Sequence, residues 1–91
     1  MRPIPVKMRE ELASLPRMMR CERSGSDCRG RLTWEHAWTY AGRQINELWA
    51  IICLCEYHHL GQGLNKALNR KISLSYATEE DLKKYPRLRT R

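Results

Sequence analysis

Ninety-one residues, with 17 Lys and Arg against 10 Asp and Glu, carry a formal charge of +7. A chain of this length makes one small domain with a modest core, and its basic balance suits a polyanion, most simply nucleic acid. It holds no run near the roughly 20 apolar residues of a membrane span, and its opening "MRPIPVKMREEL" is charged and Pro-broken.

Residues 1–6 are Pro-punctuated and read as extended. Met8, Leu12 and Leu15 then recur at helical spacing, which predicts an amphipathic helix over about 7–15, stopped by Pro16. "RMMRCERSGSDCRGR" is basic and turn-rich and reads as a loop tied at Cys21 and Cys28. "LTWEHAWTY" is rich in Thr and aromatics, so a strand is expected around 31–37. "AGRQINEL" is a polar connection, and "WAIICLC" is a continuous apolar run, a second strand buried on both faces. From Glu56 the periodicity turns helical, with Leu64, Ala67, Leu68 and Ile72 on one apolar face. Gly61 and Gly63 each cost a helix roughly 1 kcal/mol, so it is either broken there or starts near Leu64. Thr78 caps a last helix over about 78–85 with an acidic first turn, ended by Pro86 and followed by the basic tail "RLRTR". Trp34, Trp38 and Trp49 read as core residues rather than base-stacking platforms.

Four Cys and three His are candidates for the staple that so small a core needs, by disulfides or by metal. Without an export signal the default is a reducing cytoplasm, where Cys with His points to metal. Cys21-x6-Cys28 and Cys55-x2-His58 supply four N/S ligands for tetrahedral zinc, each pair from one short segment. Cys53, two residues before Cys55, competes with His58 as a ligand and otherwise reads as a small buried hydrophobe.

If His58 serves zinc, His59 is left over and can face a second site with Glu35-His36. A carboxylate and an imidazole could hold a divalent cation, and a further imidazole could take a proton from water. Arg29, Arg31 and Arg43 flank this region as candidate phosphate contacts, with Arg70, Lys71 and the 87–91 tail as grips elsewhere.

This order of pieces resembles the HNH endonucleases of the ββα-metal fold, in their Cys-containing, zinc-stabilised form. The matching residues are Cys21 and Cys28, then Glu35-His36, then Leu54-Cys55-Glu56-Tyr57-His58-His59, with His58 in place of the family's last zinc-binding Cys. The resemblance covers roughly residues 21–70. It implies an α+β domain spanning 1–91, with a ββα-metal core at about 21–72, flanking helices and one structural zinc on Cys21, Cys28, Cys55 and His58. It implies His36 as general base, and Glu35 and His59 as ligands of a catalytic magnesium or other divalent cation. The implied activity is hydrolysis of DNA phosphodiester bonds, most plausibly in double-stranded DNA with low sequence preference, in a bacterial or phage-infected cell. One position departs from the pattern. The family's middle Asn, which sets the loop and orients the base, falls on Ala50; Asn46 or Gln44 substitutes if the register differs, and Glu47 is a further candidate for the metal. Ala50 favours the rival reading, a zinc-stabilised nucleic-acid-binding or adaptor module without catalysis. A third possibility is a purely protein-binding zinc domain.

Overall fold

The computed structural model describes residues 4–86 and 88. In chain order it has α1 (Val6–Ser14), a 3-10 turn (Pro16–Met19), β1 (Leu32–His36), β2 (Thr39–Tyr40) and β3 (Arg43–Gln44). A second 3-10 turn (Leu48–Ala50) leads into β4 (Ile51–Cys55), followed by α2 (Glu56–His59), α3 (Lys66–Leu74) and α4 (Glu79–Lys83). The result is a small mixed α+β fold with two antiparallel two-stranded sheets, β1 with β4 and β2 with β3. Among the described residues no helix is long and apolar enough to cross a membrane.

The β1–β4 ladder is the centre of the molecule. Thr33 lies opposite Leu54, Trp34 opposite Cys53, and Glu35 opposite Ile52. Opposed side chains share a face. One face therefore carries Thr33, Glu35, Ile52 and Leu54; the other carries Trp34, Ile51 and Cys53. Ile52 and Leu54 pack with Cys21, Cys55 and Ile72 of α3. On the other face Ile51 and Cys53 pack with Leu12 of α1 and with Met18. Covering from both sides buries every residue of β4, as its unbroken apolar run requires. Arg17 straps the start of this strand, donating to the Ile51 carbonyl at 2.8 Å and the Leu48 carbonyl at 2.7 Å. A third cluster gathers Ile45, Trp49, Ala50 and Leu88, with Tyr85 and Leu74 packed against it.

Several expectations are corrected. The connection after β1 is a β-hairpin: Ala41 (φ 53°) and Gly42 (φ 81°) both take the left-handed conformation of a tight two-residue turn between β2 and β3. As the two glycines implied, the helical stretch after Cys55 is broken at Gly61–Gly63 into two helices, and Asn65 caps the second by accepting from the Leu68 N–H at 3.1 Å. The expected apolar face of that helix is not its buried one. Leu64 and Leu68 are each 38% exposed, whereas Asn69 and Ser73 are fully buried beside a half-buried Ile72. The last helix has its cap as read: the Thr78 side chain accepts from the Asp81 N–H, and the Asp81 carboxylate accepts from the Thr78 N–H. Trp49 is buried, while Trp34 and Trp38 are half-buried against the core. Of the basic tail, residues 87 and 89–91 lie outside the described residues, as do residues 1–3 of the extended N-terminal segment.

Gly30 governs how the Cys21–Cys28 loop returns to the sheet. Its φ of 81° is left-handed, and a Cβ there would lie 2.9 Å from the Glu56 Cβ. The chain crosses the start of α2 at this point: Glu56 N–H donates to the Arg31 carbonyl (3.0 Å) and Tyr57 N–H to the Arg29 carbonyl (3.2 Å). Gly30→Ala is expected to destabilise the fold by about 1–3 kcal/mol through strain and collision together. A fall in the thermal midpoint of the metal-loaded protein checks this, and an unchanged midpoint would count against the crossing as described.

Candidate functional site

Two polar constellations meet at α2, one on each of its adjacent histidines. The first is Cys21, Cys28, Cys55 and His58, whose ligand atoms all lie within 4.8 Å of one another. All four cysteines of the chain are free thiols. The loop supplies Cys21 and Cys28, the end of β4 supplies Cys55, and α2 supplies His58 one turn later. His58 Nδ1 stands 3.5 Å from Cys21 Sγ, 3.7 Å from Cys28 Sγ and 3.2 Å from Cys55 Sγ. Around a tetrahedral zinc, bond lengths of ~2.3 Å to sulfur and ~2.0 Å to nitrogen place S and N about 3.6 Å apart. The donor set therefore fits, and the cluster could hold a metal ion such as zinc. His58, not Cys53, completes it. The Cys53 thiol is packed among Leu12, Met18 and Ile51, where burial pushes its pKa up.

Electrostatics favour the same conclusion. His58 Nε2 lies 3.2 Å from Asp27 Oδ2. A proton on Nε2 is donated to that carboxylate, so the Nδ1 lone pair faces the sulfurs, an arrangement typical of metal-bound imidazoles. The same hydrogen bond to His58 holds the Asp27 carboxyl below its usual range. Burial pushes the Cys55 thiol up, but the backbone N–H groups of His58 and Arg29 and the neighbouring sulfurs outweigh it and bring the thiol down to about 6. Cys55 thus ionises readily, as a ligand must.

The second constellation lies on the α3-facing side of the sheet. The Thr33 hydroxyl donates to the Leu54 carbonyl at 2.7 Å, so its oxygen accepts from His59 Nδ1–H at 2.6 Å. That fixes the tautomer: the lone pair of His59 is on Nε2. Nε2 points at Glu35 Oε1, 3.6 Å away, beyond ordinary hydrogen-bonding distance. An ion pair would pull the Glu35 pKa down and push that of His59 up. Both move the other way, because burial raises the carboxyl, against the Asn69 hydrogen bond and the Lys66 and Arg70 charges, and lowers the imidazole, with Lys66 assisting. Oε1 and Nε2 therefore face each other across a gap without the signature of an ion pair, and burial disfavours the charged form of each. The other carboxylate oxygen, Glu35 Oε2, accepts from Asn69 Nδ2 at 2.9 Å.

His36 leaves β1 at its last position, on the strand face opposite Glu35. Its Nε2 donates to Asn46 Oδ1 at 3.1 Å, which leaves Nδ1 as the basic nitrogen. Ala50 is fully buried in the third core cluster. The side chain beside His36 is thus Asn46, while Gln44 sits on β3. Glu47 is turned toward the C-terminal segment, accepting from Trp49 Nε1 at 3.3 Å and from the Tyr85 hydroxyl, and is not at the Glu35–His59 gap. Arg29, Arg31, Arg43, Arg70 and Lys71 are all exposed, and the Arg70 guanidinium lies 5.3 Å from the Trp38 ring centroid.

Compared with protein-family models, curated proteins and solved structures, the chain gives no match. Sequence reasoning did not single out Thr33, Asp27, Lys66 or Asn69. The first two lie in stretches read as strand and loop. Lys66 and Asn69 sit three apart on a helix whose buried face was taken to be its apolar one, so the signal for them was absent from the hydrophobic pattern.

The cluster should bind one zinc per chain, and Asp27→Asn should weaken that binding about 10–100-fold, as loss of a partner to a metal-bound imidazole does. Competition with a chromophoric chelator measures it; equal affinity would remove Asp27 from the site. Glu35 supplies a second test. Its native pKa is raised, so the folded state binds the extra proton and stability falls as pH climbs from the unfolded Glu value through the native one. Glu35→Gln lacks that loss, and its amide can donate to His59 Nε2. With only zinc bound, the variant should show a higher urea midpoint than the parent at pH 7, and the gap should narrow toward acid pH.

Proposed function

We propose that this chain is a metal-dependent endonuclease of the HNH type, with a ββα-metal core formed by β1, β4 and α2. The observation that carries the reading is the Glu35–His59 gap. A buried carboxylate oxygen faces an imidazole lone pair whose tautomer is fixed by Thr33 and Leu54. Donors around an octahedral magnesium-sized ion stand about 3 Å apart. The observed 3.6 Å closes to that by a small side-chain adjustment. Glu35 Oε1 and His59 Nε2 suit a hard divalent cation: Thr33 leaves the imidazole lone pair on Nε2, and the Asn69 hydrogen bond with the Lys66 and Arg70 charges favours the ionised carboxylate against its burial.

The chemistry is phosphodiester hydrolysis. Glu35 and His59 would hold the cation, which would supply charge stabilisation to the scissile phosphate and the leaving 3′ oxygen. His36, with Nε2–H tied to Asn46, takes the proton of the attacking water on Nδ1. Asn46 fills the orienting role that a register at Ala50 would leave empty. The exposed Arg29, Arg31, Arg43, Arg70 and Lys71 contact backbone phosphates, in keeping with the charge of +7. Free thiols and a Cys-rich metal cluster suit a reducing compartment such as the cytoplasm. A second reading, a zinc-stabilised nucleic-acid-binding or adaptor module, is favoured by the burial of Ala50 where the family carries Asn.

Zinc-loaded protein incubated with supercoiled plasmid and magnesium or manganese should nick it, and chelator should stop the reaction. His36→Ala should keep zinc and DNA binding and lose about 10²–10⁴-fold in rate. Folded protein that binds DNA but does not nick it with either metal would establish the binding module instead.

A further inference from the structure

Asn69 is the least expected side chain in the interior. It lies on α3, is fully buried, and makes a hydrogen bond to Glu35 Oε2 at 2.9 Å with its amide nitrogen. Among the described residues its Oδ1 has no partner. A leucine would fill similar space without an orphaned acceptor, so packing alone does not account for an amide here. What the amide does is select one carboxylate oxygen. With Oε2 tied to α3, Oε1 is the oxygen turned toward His59 Nε2, 3.6 Å away. The hydrogen bond holds the carboxylate from the α3 side, since the Thr33 hydroxyl on the same sheet face is committed to the Leu54 carbonyl. Asn65, one turn earlier, caps α3 through its own side chain, so Asn69 is held on a helix whose start is pinned.

We propose that Asn69 is a positioning residue for a divalent-cation site at Glu35 and His59, acting through the Glu35 carboxylate. This rests on the reading of that pair as the cation site. Two groups on two elements then cooperate: α2 brings the imidazole, and α3 sets the carboxylate that meets it. The role differs from a merely structural one because it must vanish when Glu35 itself is gone.

The test titrates manganese into zinc-loaded protein and follows the loss of the free-ion EPR signal, in the parent, Glu35→Gln, Asn69→Leu, Asn69→Ala and the Glu35→Gln/Asn69→Leu double variant. Cobalt substituted into the Cys/His cluster reports by its visible spectrum that each variant keeps that site and its fold. Expected is a loss of about 10–100-fold in manganese affinity for Glu35→Gln and of at least tenfold for Asn69→Leu. Asn69→Leu should have no further effect in the Glu35→Gln background. Asn69→Ala serves if the leucine variant fails to fold. If the parent and Glu35→Gln bind manganese alike, the cation site itself is wrong. If Glu35→Gln loses the ion while both folded Asn69 variants bind it as the parent does, the positioning role is wrong and Asn69 is only a buried amide. An Asn69 effect that persists undiminished without Glu35 would also overturn it.

Discussion

Three sulfurs converge on one imidazole nitrogen, and the rest of the molecule is arranged around that convergence. Cys21 and Cys28 come from a loop, Cys55 from the end of the buried strand and His58 from a four-residue helix. An isolated helix of that length does not hold itself together in water. The cluster anchors it, Gly30 lets the loop lie against it, and the Arg29 and Arg31 carbonyls accept its first N–H groups. Adjacent residues on a helix project about 100° apart. Fixing His58 among the sulfurs therefore fixes where His59 points, toward Thr33 and Glu35. The Cys/His cluster, which could hold a metal ion, in this way also sets the direction of the neighbouring His59.

The polar interior follows a line rather than a scatter. Buried His58, Glu35, Asn69 and Ser73 are the polar or charged residues of the described core. They run from the cluster, across the sheet face that carries Thr33 and Glu35, to one side of α3. Buried polar groups are costly unless paired, and pairs of them seldom outperform apolar replacements of the same shape. The buried polar side chains lie along one face, while Ile51 and Cys53 on the other face pack with Leu12, Met18 and Trp34. The second constellation lies between the polar face and α3, largely out of bulk water. Burial moves the Glu35 and His59 pKa values in opposite directions for that reason.

Much of this was legible in the residues. The apolar run before Cys55 read most simply as a strand covered twice, Pro16 marked the end of the first helix, and Thr78 with its acidic turn marked the start of the last. The ligand set was readable because Cys and His at short spacing carry chemistry that side-chain pattern alone does not. The hairpin was missed because Ala41-Gly42 is a weaker turn signal than Asn-Gly, and its two-residue strands offer no alternation to detect. The orientation of α3 was misread for a deeper reason. Hydrophobic periodicity assumes that the core wants apolar side chains, and here the sheet face beneath the helix presents a carboxylate. Asn69 is buried because Glu35 is, and that dependence spans 34 positions in sequence. The partner of His36 was open for a similar reason: position 50 is committed to the core, and the contact that exists is made from the loop at Asn46.

These features define two different relations between metal and fold. At the cluster, the donors come from distant parts of a chain too short to build a large core, so binding there adds directly to the stability of the native state. At the Glu35–His59 gap, the two side chains are held by hydrogen bonds to Thr33 and Asn69, with Oε1 and Nε2 3.6 Å apart. On the proposed reading, a cation there joins two groups that the fold holds in place in its absence. Glu35→Gln should stabilise the protein and disable it at once, which is the relation between stability and activity expected of a preorganised site. α3 thus turns Asn69 toward Glu35 and Ile72 toward Ile52 and Leu54, and Leu68 is left partly exposed.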